Sequence, residues 1–107
     1  MRIKTWNIEE MTGYKPMTTF YEDFSIADRF GPAAVRDTYK SGLKNARFMG
    51  YKYLTEFVMA LNWKIWEHYG SNEPLALLYN DLWEKAAQYA TETLEGEELS
   101  YYYRTTD

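Results

Sequence analysis

Four stretches of the chain repeat apolar residues every three or four positions, the spacing that holds them on one face of an α-helix. Phe20, Phe24, Ala27 and Phe30 make the first set, and Val35, Tyr39, Leu43 and Ala46 the second. The third set, Leu54, Phe57, Val58, Leu61, Ile65 and Tyr69, lies in the longest apolar segment, where Tyr53, Met59, Ala60, Trp63 and Trp66 widen it past a single face. A helix apolar on most sides is buried by several neighbours, so this segment is expected at the centre of the fold. Leu75, Leu78, Tyr79, Leu82, Ala86, Tyr89 and Ala90 form the fourth set, with Trp83 off its centre.

Turn and cap residues separate these sets. Thr19 and Glu22 fit a capping box opening a helix over about residues 20–30. Gly31-Pro32 ends it and starts a second helix near 33–48, since proline at the first helical position has no N–H to lose. Gly42, inside that helix, costs up to about 1 kcal/mol relative to alanine and points to close packing or a bend. Gly50 and Gly70 bracket the third helix, and Ser71-Asn72-Glu73-Pro74 signals the start of a fourth, near 75–94. Gly96 precedes a short last helix near 97–103, with a frayed tail from Arg104 on. At the other end, residues 1–6 read as a strand or extended arm. Asn7 and Glu10 fit a capping box for one helical turn closing near Gly13, and Tyr14–Met17 reads as an extended connector before proline. The expected fold is all-α: one domain over residues 1–107, with an N-terminal arm and short turn (1–18) and a compact bundle of four to five helices (19–103).

Composition narrows the chemistry. The 107 residues include no cysteine, which excludes disulfides, zinc–cysteine sites, iron–sulfur clusters and thiol catalysis. No apolar run reaches the roughly 18 residues of a membrane span, and the N-terminus lacks the apolar stretch of a secretory signal, so a cytoplasmic protein is expected. The lone histidine, His68, has no second His or Cys to complete a metal site, and adjacent Glu67 is expected on another part of the helix surface. His68 therefore reads as a partly exposed helix-end residue. The glycines are scattered as helix punctuation, with no phosphate-binding loop, no nucleophile elbow and no Glu-x-x-His pair. No cofactor and no metal are expected, and enzyme activity is disfavoured.

Charge is distributed unevenly. Residues 1–53 carry nine Lys/Arg against six Asp/Glu (+3), and residues 54–107 carry three against ten (−7). In the first half Arg36, Lys40, Lys44 and Arg47 are spaced four, four and three, placing them on one flank of the second helix. Such a stripe can neutralise phosphates, with Tyr39, Phe48 and Tyr51 near enough to stack on bases. The plainer reading is the wet side of an amphipathic helix, since Asp37 adjoins the stripe and the net charge of −4 is unlike that of nucleic-acid binders. In the second half Glu92, Glu95, Glu97 and Glu98 straddle a helix end, followed by Tyr101-Tyr102-Tyr103. Three consecutive tyrosines cannot all face the core of one helix, so at least one is expected at the surface. An acidic surface with exposed tyrosines can imitate nucleic-acid phosphate and occupy a basic channel on another protein.

The segments MTGYKPMTTFYEDFSIADRFG, VRDTYK, YKYLTEFVMALNWKIWEHY, NEPLALLYNDLW and the ending YYYRTTD resemble a family of small bacterial proteins of conjugative and other mobile elements in gut bacteria. The resemblance spans about residues 7 to 107 and carries no catalytic motif. It implies an anti-defence role, such as an anti-CRISPR or antirestriction protein that binds a nuclease stoichiometrically. The expected function is thus a non-catalytic protein-binding module inhibiting an RNA-guided CRISPR nuclease, with Glu92, Glu95, Glu97, Glu98, Tyr101 and Tyr103 as contacts. The alternative is a nucleic-acid-binding accessory protein using Arg36, Lys40, Lys44 and Arg47.

Overall fold

The computed structural model describes residues 16–106, with side chains from Thr19 to Thr106. Among these residues the chain forms five α-helices and no strand: α1 (Pro16–Asp28), α2 (Pro32–Met49), α3 (Tyr51–His68), α4 (Glu73–Thr93) and α5 (Gly96–Thr106). The expected N-terminal arm and its Asn7–Glu10 capping box lie outside the described residues.

α3 is the central helix and packs on each of the other four. Its Phe57 is the hub, with ring centroids 5.2 Å from Phe20, 5.8 Å from Phe24 and 5.6 Å from Tyr39. Val35 and Ala46 of α2, Leu61 of α3, Tyr79 and Leu82 of α4 and Tyr102 of α5 complete this core. Gly42 is there because α2 approaches α3 closely: a Cβ at this position would come 2.6 Å from Cε1 of Phe57. Gly50 alone joins α2 to α3, at φ 117°, a conformation L side chains rarely adopt. Its N–H donates to the Ala46 carbonyl at 3.1 Å, and its own carbonyl accepts from the Leu54 N–H at 3.0 Å. At the start of α4 the Asn72 side chain accepts from the Leu75 N–H, as the Ser71–Pro74 signal implies.

Four sequence expectations are corrected. α1 begins at Pro16, not near residue 20, so Pro16 and Met17 are helical and Thr19 and Glu22 lie inside the helix. The restriction set by a proline falls on the residue before it and leaves the proline free to open a helix. Phe30 is 76% exposed, because α1 ends at Asp28 and the following turn carries Phe30 off the helical face. Trp63, Trp66 and Tyr69 are also exposed. Tyr102 and Thr106, at the end of short α5, share a cleft with Val58, Met59 and Asn62 of α3, just before these exposed aromatics begin. Lastly, α5 does not fray at Arg104 but runs to Thr106, whose hydroxyl donates to the Tyr102 carbonyl at 2.7 Å.

Candidate functional site

The spacing Phe57, Leu61, Lys64, His68 continues the core stripe of α3 with two ionisable residues, and the structure buries the first of them completely. The Lys64 ammonium lies 2.7 Å from Asp28 Oδ2 at the end of α1, 3.0 Å from Glu67 Oε2 and 3.0 Å from Ser25 Oγ. The Tyr21 and Tyr79 rings flank it, with centroids at 4.9 and 5.8 Å, a cation–π arrangement. Tyr79, from α4, donates its hydroxyl to Asp28 Oδ1 at 2.5 Å, and the Phe24 carbonyl lies 3.2 Å from the same hydroxyl oxygen. His68 Nε2 is 2.8 Å from Asp28 Oδ2, and its ring stacks on Tyr79 with a 6° interplanar angle. Tyr21 donates to Glu67. Glu67 is therefore not directed away from His68 as the sequence reading expects; its Oε2 lies 3.8 Å from Nε2, because Lys64 draws both acids together.

Burial alone would raise the Asp28 carboxyl, but hydrogen bonds from Lys64, Tyr79 and His68 outweigh it and hold the group below its ordinary value. Glu67 is likewise lowered: burial opposes ionisation, and bonds from Tyr21 and Lys64 prevail. Tyr79 is pushed strongly upward by burial and by its bond to Asp28.

Two chemical readings of this cluster fail on geometry. Ser25 and Lys64 stand as a serine–lysine nucleophile pair would. Yet the ammonium also bonds both carboxylates, so its three N–H groups are matched to three oxygens and it serves as a donor. Asp28, Glu67 and His68 bring ligand atoms within 4.8 Å of one another, as a metal site would, but Lys64 holds the cation position between the acids. The cluster is a clamp joining α1, α3 and α4.

The basic stripe is as the helical spacing predicts: Arg36, Lys40, Lys44 and Arg47 are all exposed on one flank of α2. The Arg47 guanidinium lies 5.1 Å from the Tyr89 ring centroid on α4. The aromatics expected beside the stripe are not arranged for bases. Tyr39 packs inward on Phe57 and Tyr51 meets Tyr101 edge-on at 5.4 Å, leaving Phe48 exposed.

Glu92, Glu95, Glu97 and Glu98 are all exposed where α4 turns into α5, and none forms an ion pair among the described residues. Glu92 accepts a hydrogen bond from Gln88 Nε2 at 2.9 Å. Of the three tyrosines, Tyr102 enters the core, Tyr103 is 50% exposed, and Tyr101 is half-buried between the Tyr51 ring and Lys52. One basic and one acidic residue, Arg47 and Glu98, line the same cleft of about 280 Å3, together with Tyr51, Leu54, Tyr89 and Leu94. Sequence spacing shows each charged group separately; their meeting depends on α2 and α4 ending side by side.

The chain matches no protein-family model, no curated protein and no solved structure. No helix among the described residues is long and apolar enough to cross a membrane.

Proposed function

We propose that this protein acts without catalysis, as a binding module whose acidic end enters a basic nucleic-acid channel on a nuclease. The observation that carries the reading is the group Glu92, Glu95, Glu97 and Glu98, exposed together and without an ion pair among the described residues, with Tyr103 nearby in sequence and half exposed. Charge arranged this way steers association with a positive channel, and an exposed tyrosine supplies contact area. The resemblance to mobile-element proteins directs the choice of partner to an RNA-guided CRISPR nuclease, whose guide–target duplex occupies a positive channel. In a DNA-cleavage assay the protein is expected to inhibit such a nuclease up to an equimolar ratio. Changing Glu92, Glu95, Glu97 and Glu98 to Lys should relieve the inhibition. Cleavage untouched by the wild type, or inhibition unchanged in the variant, overturns the reading.

The exposed flank Arg36, Lys40, Lys44 and Arg47 favours a second reading, a small nucleic-acid-binding accessory protein. A gel shift lost on raising the salt and on changing the four residues to Glu supports it; no shift at any salt removes it.

A further inference from the structure

We infer that two copies of this chain pair across the cleft where the basic flank of α2 meets the acidic end of the bundle. This inference does not rest on the nuclease reading. Arg47 of α2 and Glu98 of α5 both line the cleft, so charges of opposite sign come to it from two different helices. On the positive side Lys44, Lys40 and Arg36 continue away from Arg47 along about 16 Å of helix. On the negative side Glu98, Glu97, Glu95 and Glu92 cluster about the turn between α4 and α5. None of these eight residues is neutralised by an ion pair among the described residues, and Asp81 and Lys85 of α4 pair with each other.

A two-fold contact sets a surface against itself. A face of one sign repels its own copy, whereas a face positive on one side of the axis and negative on the other becomes self-complementary on rotation by 180°. With the axis through the cleft, the Arg47 side of each copy lies over the Glu98 side of the other, and both charge groups are answered at once. A purely basic or purely acidic partner can answer only one. The partly exposed rings of Tyr51 and Tyr89, lying over the buried Leu54 and Leu94, supply the less polar centre such a contact needs. Each copy carries a net charge of −4, which opposes pairing at long range. At an ionic strength of about 0.1 M that repulsion is screened beyond about 10 Å, while charges in contact still attract. Pairing covers the acidic end, so a second copy and a basic partner compete for it.

Sedimentation velocity with two complementary variants tests this. At about 0.1 M salt the wild-type protein should form a concentration-dependent dimer, weakened about tenfold or more at about 1 M, where screening shortens to about 3 Å. Arg36→Glu/Lys40→Glu/Lys44→Glu/Arg47→Glu makes the face uniformly negative and Glu92→Lys/Glu95→Lys/Glu97→Lys/Glu98→Lys makes it uniformly positive; each variant alone should be monomeric while keeping its helical circular dichroism. Mixed in equal amounts, the two should form a heterodimer, because the reversed faces complement each other. A wild-type monomer under all these conditions, a dimer that survives both high salt and reversal, or a mixture that stays monomeric overturns the inference.

Discussion

The C-terminal end of α3 and the end of the bundle where α4 turns into α5 both gather charge, and they treat it in opposite ways. Around Lys64 every charged group is answered from inside the molecule, by Asp28, Glu67, Ser25 and the faces of two tyrosines. Glu92, Glu95, Glu97 and Glu98 form no ion pair among the described residues, and the side chains stand in solvent. A buried charge must be paired on the spot, because its desolvation cost is prohibitive otherwise; an exposed one is stabilised by water and can be left for a partner. The Lys64 cluster therefore acts as a fastener between helices, and the unpaired surface groups are where recognition is to be sought.

The sharpest way to break this contrast is at Asp28, which holds Lys64, His68 and Tyr79 together. Asp28→Ala leaves the buried ammonium short of one carboxylate and should cost about 3–5 kcal/mol in urea unfolding. Lys64→Met combined with Asp28→Asn removes both buried charges and should cost less than Asp28→Ala alone. A larger loss in the double variant would show that the ion pair itself, rather than the penalty for an unanswered charge, dominates.

Acid should loosen the two regions unequally. The carboxyls of Asp28 and Glu67 are lowered in the folded state, so they contribute stability above the ordinary carboxylate range, near pH 4. That contribution declines as pH falls below this range and is gone once pH passes their lowered folded values. Unfolding curves across the acid range should show this loss in the wild type and much less of it in the Lys64→Met/Asp28→Asn variant.

The smallest expected effect is at the surface. Glu97 and Glu98 lie in the first turn of α5, where negative charge is favoured by the helix dipole. Glu97→Gln/Glu98→Gln should shift stability by no more than about 0.5–1 kcal/mol in thermal unfolding. A loss comparable with that of Asp28→Ala would make the acidic end a structural feature and erase the difference between the two regions.

Much of the fold was legible in the chain. The 3.6-residue repeats locate four of the helices, and Gly31, Gly50, Gly70 and Gly96 mark the breaks, each at positive φ. The over-wide apolar segment of α3 identified the central helix. The same breadth misled at Trp63 and Trp66, since a repeat shows which residues share a face and not how far a neighbouring helix extends to cover it. The clamp had a signal too, in Lys64 and His68 continuing the Phe57–Leu61 stripe. Its partners could not be read, because Ser25 and Asp28 stand 39 and 40 residues away from Lys64 and His68 respectively.

The placement of the charged groups divides along the same line. By itself the sequence determined that Arg36, Lys40, Lys44 and Arg47 share a flank and that Glu92, Glu95, Glu97 and Glu98 crowd a helix end, because helical geometry converts spacing directly into position. Only the tertiary structure decided that one member of each group, Arg47 and Glu98, lines the same cleft, and that Lys64 lies inside while the two groups lie outside. Those outcomes depend on which helix ends pack side by side and where α5 stops, and no residue spacing within a single helix encodes either.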